Sequence, residues 1–234
     1  LINSHFFGCG IATAEFLNHK KMKKIAILFL VLLGGVLSGF AQPRIGVRAG
    51  YNMSNVLKLV DLEGDEDEKL DWKSAANFGV TVDLRKSERF VFRPGLYFSM
   101  KGYKDNDYSY LPIANLNYLE MPLLAVFQFS VTDKLKIELQ TGLYFAYGVC
   151  GKYKLEVGTY MVTDENVNTY AKTEYKKFPS FEETLLFKRF DWGGNLGLGI
   201  SYDHYYLGAA YELGAVVFMH SSNHCFSVNL GYNF

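Results

Sequence analysis

Cysteine is scarce in this 234-residue chain, where Cys9, Cys150 and Cys225 are all there is. So few thiols do not make a disulfide framework, even in an oxidising compartment. Net charge is lacking too, with 24 Lys+Arg against 24 Asp+Glu, so no long-range field draws the chain to nucleic acid or to an acidic membrane surface. No glycine-rich loop joins a strand to a helix, which removes the usual cradle for a nucleotide. His224 beside Cys225 is a pair without further ligands next to it, and neither a metal nor a cofactor is expected. Helical periodicity is also missing after residue 41, and no apolar run reaches the roughly 20 residues of a spanning helix.

What is abundant is aromatic and small: Tyr 17, Phe 19 and Gly 22. Aromatic side chains suit a pleated, half-buried surface and favour strands over a helical bundle. Near the start, Lys20 to Ala41 carries lysines, an apolar run from Ile25 to Leu33, and small residues at Gly39 and Ala41. That layout is a secretory signal peptide, and cleavage is expected before Gln42. Met22 is the expected initiator, which sets residues 1–21 aside as an upstream extension, 22–41 as the signal peptide and 42–234 as the mature domain. The mature chain then holds only Cys150 and Cys225, expected on strands too far apart around the fold to be linked.

The mature chain alternates apolar and polar residues with period two, which in a strand sends the two classes to opposite faces. Eight segments do so: Arg44 to Ser54, Ala75 to Leu84, Phe90 to Lys101, Asn115 to Phe129, Lys134 to Cys150, Arg189 to Tyr202, Tyr205 to Val217 and Asn223 to Phe234. In the sixth, Phe190, Trp192, Leu196, Leu198 and Ile200 oppose Asp191, Gly193, Asn195, Gly197 and Gly199. Pro94 in the third cannot donate to a ladder and implies a bulge or break. Connections alternate between long (55–73, 102–114, 151–188) and short (85–88, 130–133, 203–204), the mark of a membrane barrel with tight periplasmic turns and longer outer loops.

A soluble barrel would put Lys and Glu on its polar face, whereas this one carries Gly, Asn, Ser and Tyr with a few charges. The expected fold is therefore all-β: an eight-stranded antiparallel up-and-down transmembrane β-barrel, apolar outside, in the outer membrane of a Gram-negative bacterium and surrounded by its lipid. An interior of that width is filled by side chains. The expected lumen network is Arg48, Asp83, Arg93, Lys101, Glu120, Lys136, Glu138, Asp191 and Glu212, paired because an unpaired buried charge costs several kcal/mol. Tyr97 and Tyr144 help to close the passage, and Glu120→Ala is expected to strand a cation.

Several stretches resemble the PorT-like outer-membrane β-barrel family: the opening with Gly46, Gly50, Asn52 and Ser54; PGLYFSMKG from Pro94 to Gly102; NYLEMPLL from Asn117 to Leu124; DWGGNLGLG from Asp191 to Gly199; and the closing LGYNF. Tyr118 to Leu123 is the most specific of them. The resemblance implies an outer-membrane site and, for one branch, a part in protein secretion across the envelope. Phe234 is similar to the terminal aromatic by which the barrel-assembly machinery recognises its clients.

Near the outer rim, His220, Ser222 and Asn223 form an H-x-S-N pattern similar to that of lipid A deacylases, where a histidine activates a serine. No Asp or Glu follows Asn223, so an orienting carboxylate has to come from Glu212 or a loop. The expectation is a noncatalytic barrel that binds an envelope partner through its outer loops; the alternative is a lipid A hydrolase using His220 and Ser222. The acidic run Asp61 to Asp71 lacks EF-hand spacing and is expected to be a solvated loop.

Overall fold

The computed structural model describes residues 41–58, 71–104, 113–163, 169–181, 189–215 and 221–234. The expected signal peptide apart from Ala41, the acidic run apart from Asp71, and His220 lie outside these residues. The described residues form nine strands: β1 (Ala41–Lys58), β2 (Lys73–Arg85), β3 (Phe90–Lys104), β4 (Ile113–Ser130), β5 (Leu135–Thr163), β6 (Thr169–Pro179), β7 (Phe190–Tyr202), β8 (Tyr205–Gly214) and β9 (Ser221–Asn233). All pairings are antiparallel. Eight strands run β4-β3-β2-β1-β9-β8-β7-β5, and β5 pairs back onto β4, so the sheet closes on itself and leaves no open edge along its height.

Alternation builds this wall as expected. On β7 every second residue is buried, and those between are exposed, with Leu196 at 59% and Leu198 at 61%. Exposed apolar side chains such as Ile45, Phe78, Leu139, Leu207 and Leu230 girdle the outside, while Arg93, Glu138 and Asp191 are buried within. A soluble protein would not expose so continuous an apolar band, and a bilayer is the solvent that suits it. The lumen wall is not wholly polar: Val91, Leu124 and Val126 form an apolar patch on the inner faces of β3 and β4.

The tight turns fall where expected. Asp203 takes a left-handed φ of 55° in the β7–β8 turn, and its N–H donates to the Lys134 carbonyl of the neighbouring turn at 2.9 Å. Pro94 interrupts a ladder without a bulge: Thr81 pairs with Gly95 and Leu84 with Phe92 in one unbroken register.

One connection differs from expectation. The segment 151–188 was expected to be a long loop, yet β5 continues to Thr163 and pairs with β6 from Lys152–Pro179 to Thr163–Thr169. With 29 residues, β5 far exceeds the about 9 to 11 that cross a bilayer. The β5–β6 hairpin therefore projects beyond the barrel on the long-loop side, which is the outer side. Most described side chains of β6 are exposed, including Tyr175, Lys176 and Lys177, so no face is buried enough to stamp a period of two on the sequence.

Candidate functional site

The lumen holds two charge clusters at different heights. In the inner one Arg93 grips Asp83 with two nitrogens, Nε to Oδ1 at 2.5 Å and Nη2 to Oδ2 at 2.9 Å, and sends Nη1 to Glu138 Oε2 at 2.8 Å. The other Glu138 oxygen accepts from Gln128 Nε2 at 2.8 Å and Ser201 Oγ at 2.6 Å. This is the forked geometry that makes arginine suited to bridging carboxylates. The Tyr206 ring lies between two arginines, with Cζ of Arg48 4.4 Å and Cζ of Arg93 5.4 Å from its centroid, and its hydroxyl donates to Gln140 Oε1 at 3.3 Å. Inward glycines make the room: a Cβ on Gly208 would stand 2.1 Å from the Tyr206 hydroxyl, and one on Gly231 2.3 Å from Arg48 Cδ.

In the outer cluster Lys101 Nζ stands 2.6 Å from Glu120 Oε2 and 2.7 Å from Glu212 Oε2, above the Tyr144 ring at 4.5 Å. Glu120 thus forms an ion pair with Lys101, and Glu212 accepts from Lys101 and, on Oε1, from Asn195 Nδ2 at 3.0 Å. Asp191 Oδ2 accepts from Tyr144 at 3.2 Å and Asn223 Nδ2 at 2.9 Å. Above this lies an apolar cap: Phe181, from the segment after β6, packs edge-on against Tyr118 at 5.6 Å with Leu116 and Ala146 around it. Gly148 admits that ring, since a Cβ there would meet it at 2.4 Å.

Arg93 and Lys101 are eight residues apart on β3, about 26 Å along the strand at about 3.3 Å per residue. The charges are segregated over that length. Arg44, Arg48, Arg85, Arg93 and Lys136 share the inner half with two carboxylates, while Lys101 and Lys73, whose Nζ donates to the Lys101 carbonyl at 3.0 Å, share the outer half with three.

A family model described as "Outer membrane protein beta-barrel domain" matches residues 40–215. The chain belongs to that family. No curated protein matches this member. Among solved structures it is similar to Ail, the attachment invasion locus protein of Yersinia pestis, at 12% identity over 83% of this chain and 100% of that one, with a TM-score of 0.41. Neisserial surface protein A is similar at 10% identity over 83% and 100%, TM-score 0.44, and OprG from Pseudomonas aeruginosa at 12% over 84% and 98%, TM-score 0.42. These likenesses are too distant to carry an argument about function. As a closed barrel of this family, the protein resides in the outer membrane of a Gram-negative bacterium.

Of the expected network, Arg93, Lys101, Glu120, Glu138, Asp191 and Glu212 meet inside this barrel, with Asp83. Two members are corrected. Arg48 pairs with no carboxylate among the described residues; Asn233 Oδ1 at 2.7 Å, two carbonyls and the Tyr206 ring hold it. Lys136 stays half-exposed at the inner mouth, one turn of the strand pattern short of Glu138, and joins no ion pair there. The resemblance motif is explained by packing: Tyr118 seats Phe181, Glu120 meets Lys101, and Pro122 fills the wall near Gly95.

Sequence reasoning missed Gln128, Ser201, Asn223 and Phe181. The first three sit at inward positions of strands already recognised, so parity alone was enough to find them; Phe181 lies in a polar connection with no periodic signal. Cys225 is buried with a free thiol, so the expected absence of a Cys150–Cys225 link holds. Ser222, on β9, pairs with Leu57 of β1, and the geometry between it and His220 lies outside the described residues. Phe234 ends the chain exposed, its N–H on the Ile45 carbonyl at 2.8 Å and its ring against Tyr232.

Proposed function

We propose that this barrel is a noncatalytic envelope component that works through its outer surface, with the β5–β6 hairpin as its binding element. The observation that supports this reading is the hairpin itself, a ribbon running past the rim of a lumen filled by two charge clusters and an aromatic cap. A filled lumen leaves the surface as the place for function, and binding residues gather on elements carried by a rigid scaffold. The motif residues from Tyr118 to Leu123 favour the PorT-like branch, whose role in secretion gives the partner's class: a protein of a secretion assembly. Phe234 serves as the recognition signal for the barrel-assembly machinery, and outer-membrane lipid surrounds the wall.

A photoreactive amino acid at Tyr175, irradiated in native membranes, is expected to crosslink one protein partner, and the charge reversals Lys176→Glu and Lys177→Glu beside it are expected to weaken the adduct. Crosslinking to lipid alone would overturn the reading. Ser222→Ala is expected to leave the acylation of lipid A unchanged; a changed acyl pattern would favour the hydrolase alternative at His220 and Ser222.

A further inference from the structure

The inner mouth contains a feature that neither charge cluster uses. A cavity of about 120 Å³ opens there, and Arg44, Arg85 and Lys136 line it. Among the described residues none of these three cations enters an ion pair, and Arg85 Nε is buried with no hydrogen-bond partner. Arg44 and Arg85 come from the paired strands β1 and β2, where the register shifts between Ala41 and Arg44; such irregularities re-aim side chains. Lys136 reaches the same space from β5, across the mouth.

The acids nearby form no ion pair with these cations among the described residues. Asp83 and Glu138 line the cavity too, but Arg93, Gln128 and Ser201 already occupy their oxygens. With Arg93 counted against that pair, the wall keeps two net positive charges. The rim turns add Lys134, Asp133 and Asp203, and Glu88 stands near Lys136, so the mouth as a whole is balanced in charge, while Arg44, Arg85 and Lys136 form no ion pair among the described residues. Three cations brought together at a narrow opening without ion pairs repel one another unless a counter-ion sits among them.

We propose that the inner mouth is a binding site for a small oxyanion of the periplasm, a monoanionic phosphate or phosphate monoester, held by Arg44, Arg85 and Lys136. The guanidinium edge of Arg85 is the directional element, because a planar fork matches phosphate oxygens better than a point charge does. The cavity lies on the lumen side of the wall, so the anion is a soluble one and not the headgroup of a neighbouring lipid.

The test is titration calorimetry of the full chain in nanodiscs of zwitterionic lipid, with inorganic phosphate as the probe. Saturable binding is expected, weakened at least tenfold by Arg85→Gln and by Lys136→Gln, and unchanged by Lys152→Gln on the outer hairpin. Lys136 is half-exposed, so its variant reports on the site even if the arginine variant folds poorly. Absence of saturable binding, or equal weakening by Lys152→Gln, would overturn the proposal. A signal that appears only when anionic lipid is added to the nanodisc would assign the anion to the membrane and overturn it as well.

Discussion

Replacing Arg93 with alanine is expected to lower the stability of the barrel by about 3 to 5 kcal/mol, the range seen when one partner of a buried ion pair is removed. Arg93 is 2% exposed and Glu138 0%. Asp83 loses both of its guanidinium hydrogen bonds, whereas Glu138 keeps Gln128 and Ser201. Most of the loss therefore falls on Asp83, and the double variant R93A/D83N is expected to recover a large part of it. Arg93→Lys keeps the charge but cannot reach two carboxylates with a rigid fork, and an intermediate loss is expected. Urea unfolding in detergent, followed by the shift between folded and unfolded mobility in unboiled SDS gels, measures all three. A single variant with an unchanged midpoint would mean that water, not Arg93, neutralises the inner carboxylates.

Lys101→Met is the second large perturbation. It removes the cation that Glu120 and Glu212 share and leaves both, with Asp191, in the same low-dielectric space. A loss of about 3 to 5 kcal/mol is again expected if the site stays dry. Glu120 behaves differently. Glu120→Ala was expected to strand a lumen cation, but Lys101 also has Glu212 at 2.7 Å, a second carboxylate that does not depend on Glu120. Because the outer cluster carries more carboxylates than cations, Glu120→Gln, which keeps the shape, is expected to cost less than Lys101→Met by at least about 1 kcal/mol, a gap of several-fold in the folding equilibrium. Equal losses for the two variants would contradict the charge count.

The difference between these two expectations shows where sequence reading reached and where it stopped. Period-two alternation identified the inward faces because a bilayer and a filled lumen impose opposite preferences on neighbouring residues, and Phe190 to Tyr202 follows that rule without exception. The height of each charge was not legible in the same way. It depends on register between strands far apart in sequence: Lys101 on β3 meets Glu212 on β8, and no local pattern records that meeting. Arg48 read as half of an ion pair because an arginine on an inward face implies a carboxylate, yet a tyrosine ring, an asparagine and two carbonyls serve instead. The hairpin of β5 and β6 was invisible because exposed strands have no buried face, and Phe181 because a loop residue that turns inward leaves no periodic trace.

The filled lumen is the claim on which the account rests. Tyr206 between two arginines, Lys101 among its carboxylates, and Phe181 over Tyr118 block the passage at three levels. Planar-bilayer recording of the purified protein tests this most directly: no steady conductance above the bare bilayer is expected, and large, stable single-channel steps would contradict it.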